Sequence, residues 1–287
     1  MGTIRLGIAG WVFDEWRGGA FYPEGLKQKQ ELAYASRHLG SIEINATFYS
    51  HQKAASFEGW AAETPEDFAF SVKGHQLVTH LKRLKEVELP LANFFASGVL
   101  ALGKRLGPFC WQLPGNIRYD AARLEAFVRL LPQDPDALLA LARKTEGLKH
   151  EPFLDISGIS QVRHAIEFRH ESFATAEVIE LLRAHNVALV TADTAEWPVA
   201  DRTADFVYCR LQGAPGAESY TPAERDSRAM WLKAWAEGAV AEAPTLLPPV
   251  ARPPGDVFAY FVSTDKPHAP ANAMAVMQTL GLKANDV

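Results

Sequence analysis

The 287-residue sequence lacks several things, and each shortage excludes something. Its only two cysteines, Cys110 and Cys209, each lie inside an apolar strand-like run. That is no disulfide framework, and they read as reduced core residues of a reducing compartment. No apolar stretch approaches the roughly 20 residues that a membrane span needs. Runs of lysine and arginine are missing and the net charge is −5, so neither nucleic acid nor a membrane is an expected partner. The opening MGTIRLGIAGW lacks the basic-then-apolar pattern of a signal peptide, which makes the cytoplasm the expected location. H-E-x-x-H, G-x-S-x-G, Walker A and paired C-x-x-C motifs are absent, as are an internal repeat and a domain linker.

What is present is ordinary globular material, 48% apolar and 22% charged. Short β-rich runs alternate with longer amphipathic ones, the pattern of βα units and a parallel sheet. Eight strands are expected, at about 3–10, 41–47, 67–73, 107–113, 163–169, 187–193, 205–211 and 256–263. Helical patterns cover 26–39, 54–62, 91–106, 121–131, 136–147, 176–185, 222–241 and 270–280. Gly40 suits the C′ position of the first helix. Asp120 and Thr221 suit N-caps, the latter with Pro222 at N1. Five prolines in the eleven residues 244–254 mark a stiff surface loop before the last strand.

This size and alternation predict the α/β class, as a single (β/α)8 TIM-type barrel over residues 1–287. The competitor, an open doubly wound sheet, usually carries G-x-G-x-x-G after its first strand. Here that strand ends Gly7-Ile8-Ala9-Gly10-Trp11, without the fingerprint.

Barrel strands bury both faces, so charges in register along a strand are unusual. In the second expected strand Ile42, Ile44 and Phe48 share one face, while Glu43, Asn45, Thr47 and Tyr49 share the other. The apolar set must meet the helices, which sends the polar set inward. The same parity turns Lys73, Gln112, Glu167 and Arg169 inward near the ends of the third, fourth and fifth strands. It puts Tyr208 and Arg210 on one face of the seventh. Asp193 closes the sixth strand, and Asp265 stands near the end of the eighth.

Six ionisable groups therefore converge: Glu43, Lys73, Glu167, Arg169, Asp193 and Arg210. Barrel active sites sit at strand C-terminal ends, so this convergence marks a ligand site; the bland alternative is a structural ion-pair network. Trp11 is a stacking wall or core, and His170 a base, a metal ligand or a loop residue. His75 and His80 read as exposed or capping residues.

The chain also resembles a known family. Gly10-Trp11, Glu15-Trp16-Arg17, Phe21-Tyr22-Pro23, Glu43-Ile44-Asn45, Thr47-Phe48-Tyr49, Glu63-Thr64-Pro65 and Phe70-Ser71-Val72-Lys73 are similar to strings of the YecE-like family (domain of unknown function 72). So are Thr79-His80, Gln112-Leu113-Pro114, Glu167-Phe168-Arg169-His170, Asp193, Asp205-Phe206-Val207-Tyr208, Arg210-Leu211 and Ala269-Pro270-Ala271-Asn272-Ala273. The resemblance runs in order from about residue 4 to 281 and implies a TIM-type barrel in the bacterial or archaeal cytoplasm, with no established reaction. Two positions depart from it. Gln212 stands where the family usually has a histidine, so a general base there does not transfer. Ser263-Thr264-Asp265 replaces an asparagine-rich turn.

Three functional readings follow. The first is an enzyme acting by acid/base chemistry on a small, anionic metabolite bearing phosphate or carboxylate. Glu43, Glu167 and Asp193 are its catalytic candidates. Trp11, Asn45, Tyr49, Lys73, Gln112, Arg169, His170, Tyr208 and Arg210 are its ligand-binding candidates, with arginine able to clamp an oxyanion bidentately. The second is a divalent-metal isomerase or phosphoesterase using Glu43, Glu167, Asp193 and His170, against which the interleaved cations compete. The third is a non-catalytic binder of an anionic small molecule. The sequence itself requires no cofactor.

Overall fold

In the computed structural model, parallel strands follow one another around the sheet in sequence order, and the sheet closes on itself as a barrel. The structure describes residues 1–283 apart from 195, 196, 198, 215 and 263–265, so the expectation for Asp265 lies outside the described residues. The strands are β1 (Ile4–Ala9), β2 (Ser41–Ile44), β3 (Ala69–Lys73), β4 (Leu106–Gln112), β5 (His164–Glu167), β6 (Ala188–Ala192), β7 (Val207–Leu211) and β8 (Val257–Phe261). The chain is thus an α/β protein of the (β/α)8 TIM type, as its pattern predicts.

Helices separate most strands: α1 (Glu31–His38), α2 (Ala46–Tyr49), α3 (Ala54–Glu63), α4 (Glu88–Ala96), α5 (Ala121–Leu130), α6 (Pro135–Ala142), α7 (Ala176–Ala184), α8 (Pro222–Glu237) and α9 (Ala269–Thr279). The expected caps form. The Asp120 carboxylate accepts from Arg123 N, and Thr221 makes a full capping box with Glu224 ahead of α8. The proline-rich stretch is a loop, and both cysteines are free and buried. No described helix is long and apolar enough to cross a membrane.

By its internal contacts the chain divides into two compact units, residues 1–43 with 174–287, and residues 44–173. In the first unit β1 pairs with β2 and β8, and β7 with β6 and β8. Ser41, Gly7 and Tyr260 fall in one register row. Ser41 Oγ and Tyr260 Oη meet at 2.7 Å, and the close approach of the Ser41 backbone requires glycine at position 7, where a Cβ would lie 1.8 Å from Ser41 O. In the second unit β4 pairs with β3 and β5, and Gln112 sits opposite Glu167. Its core is strongly aromatic, with Phe94, Phe95, Phe109, Trp111 and Phe127 all buried.

Local expectations fail at Gly40 and at the ends of the second and fifth strands. Gly40 is not left-handed: α1 ends at His38, Leu39 is already extended at φ −129°, and Gly40 N donates to Leu6 O at 2.9 Å. The pull of the β1 pairing ends the helix before a glycine cap can form. The second strand also stops at Ile44 instead of running to 47, because Asn45 turns to αR (φ −92°, ψ −21°) and Phe48 N bonds back to Asn45 O.

Candidate functional site

Two polar clusters stand at strand C-terminal ends, one in each unit. In the unit of residues 1–43 and 174–287, Glu43 is wholly buried. Its carboxylate accepts from Tyr208 Oη at 2.7 Å and from Arg210 Nε and Nη2, each at 3.1 Å. The register explains the meeting: Tyr208 and Arg210 are two apart on β7, so both point to the same side. A carboxylate gripped this way is an acceptor already committed.

Asp193, just past β6, is committed elsewhere in the same unit. Oδ1 accepts from the backbone N–H of Gln212 at 2.7 Å and of Gly213 at 3.2 Å. Oδ2 accepts from Tyr220 Oη at 2.7 Å and Arg228 Nε at 3.0 Å. Burial beside that carboxylate pushes the Tyr220 phenol well above its usual range. Asp193 thus ties the loop after β7 to α8, a bracing role in which Tyr220 and Arg228 had no sequence signal. Trp11, half-buried in the loop after β1, offers its carbonyl to Tyr22 Oη at 2.6 Å.

In the unit of residues 44–173, Gln112 and Glu167 are register partners, and Gln112 Nε2 donates to Glu167 Oε2 at 2.7 Å. The strand β5 ends at Glu167, so Arg169 lies beyond it and reaches back, with Nε donating to Glu167 Oε1 at 2.9 Å. Glu167 is buried whereas the Arg169 side chain is 43% exposed. Lys73, ending β3, holds its Nζ 4.6 Å from the Phe48 ring centroid, a cation–π contact. Thr47 Oγ1 donates to Lys73 O at 2.7 Å and fixes that strand end.

The early end of β2 corrects three assignments. Parity along a strand no longer governs Asn45, Thr47 and Tyr49, which now lie at the start of or within the one-turn helix α2. Tyr49 is 70% exposed rather than inward-facing. Asn45 Oδ1 is buried and finds no hydrogen-bond partner among the described residues. His170 closes its own turn, with Nδ1 against Ser172 Oγ at 2.9 Å and Ser172 N at 3.1 Å. His75 does the same for Leu77 N, at 3.1 Å.

His80 differs from this capping role. It sits half-buried with its ring edge-on to Phe48, centroids 4.9 Å apart, and Nδ1 2.9 Å from Thr79 Oγ1. Burial, and then the charges of Lys73 and Arg169, hold its pKa below the usual histidine value. Strand parity cannot find a loop residue, and the Thr79-His80 string was its one sequence signal. Among the described residues, no three His, Cys, Asp or Glu side chains are grouped as a metal ion would require.

A closed parallel barrel carrying polar clusters at its strand ends defines a TIM-type (β/α)8 protein. The family described as "Protein of unknown function DUF72" matches residues 5–287, and the chain belongs to it. It is 38% identical over 80 residues to the UPF0759 protein YunF of Bacillus subtilis (strain 168), which covers 28% of this chain and 27% of that protein. It is 26% identical over 113 residues to the UPF0759 protein YecE of Escherichia coli (strain K12), covering 39% and 38%. The matched stretches thus span well under half the length of these relatives. A crystal structure of a DUF72 family protein from Thermotoga maritima MSB8 superposes with a TM-score of 0.70 at 23% identity, over 97% of this chain and 99% of the other. One from Enterococcus faecalis V583 gives 0.69 at 16% identity, over 98% and 96%. These likenesses support the fold alone.

Proposed function

We propose that the C-terminal ends of β3, β4 and β5 bind a small anionic metabolite, bearing phosphate or carboxylate, and that the protein acts on it by acid/base chemistry. One observation carries the reading: the His80 imidazole feels the charges of Lys73 and Arg169 and shares the Phe48 ring with Lys73, while Arg169 pairs with the buried carboxylate of Glu167. Cationic side chains gathered at one strand end favour an incoming anion. Gln112 and Arg169 orient Glu167, and the exposed guanidinium keeps donors for an oxyanion.

The divalent-metal alternative finds no supporting donor set among the described residues. We place the protein in a reducing cytoplasm, in keeping with its two free thiols, and the reading calls for no nucleic-acid or membrane partner.

The test is a thermal-shift panel of phosphate- and carboxylate-bearing metabolites on wild type, Lys73→Gln and Arg169→Gln. A ligand at a hundred times its Kd adds about 2.7 kcal/mol, and each kcal/mol is worth roughly 2–4 °C in a chain of this class. Stabilisation by one class of anion, lost in both variants, is expected. A panel in which no anion shifts the wild type, or in which the variants respond equally, overturns the reading.

A further inference from the structure

The carboxylates of both clusters are tied to cations, which leaves open where a mobile proton would reside. We propose that His80 is the proton-exchanging group of the anion site at β3–β5, its Nε2 meeting the bound oxyanion alongside Lys73 and Arg169. The inference rests on the anion-binding reading above and adds a proton-exchanging role for His80 to it.

Four observations converge on His80. Nδ1 is occupied by the hydroxyl of the wholly buried Thr79 at 2.9 Å, which fixes the ring, while Nε2 makes no hydrogen bond among the described residues. The Phe48 ring contacts both the imidazole, with centroids 4.9 Å apart, and the Lys73 ammonium, 4.6 Å from its centroid, so one ring neighbours both groups. The backbone that carries His80 is a wide π-type turn, Leu77–Leu81, closed by Lys82 N donating to Leu77 O at 2.9 Å. Such turns are rare and recur at functional sites.

Directly after it, Arg83, Leu84 and Glu86 take φ of 51°, 66° and 49°, a left-handed conformation that is costly for residues with side chains. Leu84 nevertheless is buried and its N–H bonds to Val78 O, so the fold holds the strained loop in place.

The charged groups acting on His80 are Lys73 at the end of β3 and Arg169 beyond β5; α2 presents the neutral Phe48, whose ring also packs edge-on to Tyr49. With two cations beside it, the imidazole favours its neutral form. An arriving oxyanion offsets those charges and favours the protonated form, so binding takes up a proton. That proton is then available for transfer to the bound molecule.

The probes are sulfate, a dianion that does not titrate near neutrality, and acetate as the carboxylate arm. The nine histidines are followed by NMR through their ring C–H signals, with His80→Gln supplying the assignment and its melting temperature checking the fold. In free wild type the His80 signal is expected to titrate below the ordinary value and to move up in Lys73→Gln. Saturating sulfate or acetate is expected to raise its pKa by about 0.5–1 unit, and whichever anion does so names the headgroup.

If an anion binds saturably, needs Arg169, and leaves the His80 titration unmoved, the His80 assignment is wrong while the anion site stands. If neither anion binds saturably and the His80 titration stays flat in both, the site reading fails and this inference with it.

Discussion

Removing Glu43 alone should damage this protein far more than removing Glu43 and Arg210 together. The carboxylate is fully buried and takes three hydrogen bonds, two of them from Arg210, whose own side chain is 7% exposed. Glu43→Gln keeps the shape but removes the negative charge and turns an amide N–H₂ toward donors. Breaking a buried pair from one side costs about 3–5 kcal/mol, because the remaining charge stays buried. Replacing both members with apolar residues of similar volume is often neutral or better. The double variant Glu43→Leu/Arg210→Met also removes the Glu43 acceptor of the Tyr208 hydroxyl, and adding Tyr208→Phe measures the share of that bond.

The assay is denaturant unfolding followed by tryptophan fluorescence and circular dichroism, run as a double-mutant cycle. A coupling energy of several kcal/mol is expected, little changed by salt, since buried pairs are weakly screened. Single variants within about 1 kcal/mol of wild type, or strictly additive effects, would refute the argument. Ligand affinity retained in the apolar variants would assign Glu43 to the scaffold rather than to the chemistry.

His164 gives an acid-stability prediction. It is fully buried, accepts from Trp111 Nε1 on Nδ1 at 3.1 Å and donates through Nε2 to Pro132 O at 2.8 Å, and burial lowers its pKa to about 4. The unfolded chain binds this proton near pH 6.5 and the folded one only near 4, so the stability is complete above 6.5 and is lost as pH falls toward 4. The loss amounts to about 3 kcal/mol. His164→Leu should be less stable at pH 7.5, yet its deficit should shrink by that amount at pH 4; a deficit independent of pH in urea unfolding would count against the idea. Gly74 gives a packing prediction: a Cβ there would lie 2.1 Å from Trp111 Cε3, and that indole is wholly buried. Gly74→Ala should cost about 1–3 kcal/mol and be partly rescued by Trp111→Leu, whereas a melting temperature equal to wild type would show the space to be there.

Much of the barrel was legible because strand parity is a strict constraint. Alternation alone put Tyr208 with Arg210 on β7, and Gln112 and Glu167 on the inward side of adjacent strands. Parity fails where a strand ends, and ends are decided by hydrogen bonds that no periodicity reports. The bond from Phe48 N to Asn45 O converts the expected tail of β2 into a helical turn and carries Tyr49 out to solvent. Gly40 departs from the helix-cap pattern for a related reason, since pairing with Leu6 competes with a helix cap. Asp193 was placed correctly at the end of β6, but its acceptors were drawn to the Gln212 and Gly213 N–H groups across a loop that the pattern does not describe.

The same distinction bears on where chemistry belongs in the unit of residues 44–173. Gln112, Glu167 and Lys73 are fixed by paired strands, and a group on such a frame orients a ligand well but responds to it little. A group that must change its charge when a ligand arrives belongs where the local free energy is low enough to shift. His80 stands off that frame, on a π-type turn followed by left-handed residues, and is held at one ring nitrogen by a buried threonine. Rigid strands that carry the clamp and a strained loop that carries the proton make a coherent division of labour. Loop relaxation therefore gives an independent check: Arg83→Gly, which removes the cost of φ 51° at that position, should leave the fold intact. If the strain matters for holding His80, the His80 titration in that variant moves toward the ordinary histidine value. An unmoved titration would mean that Thr79 and Phe48 position the ring without help from the loop.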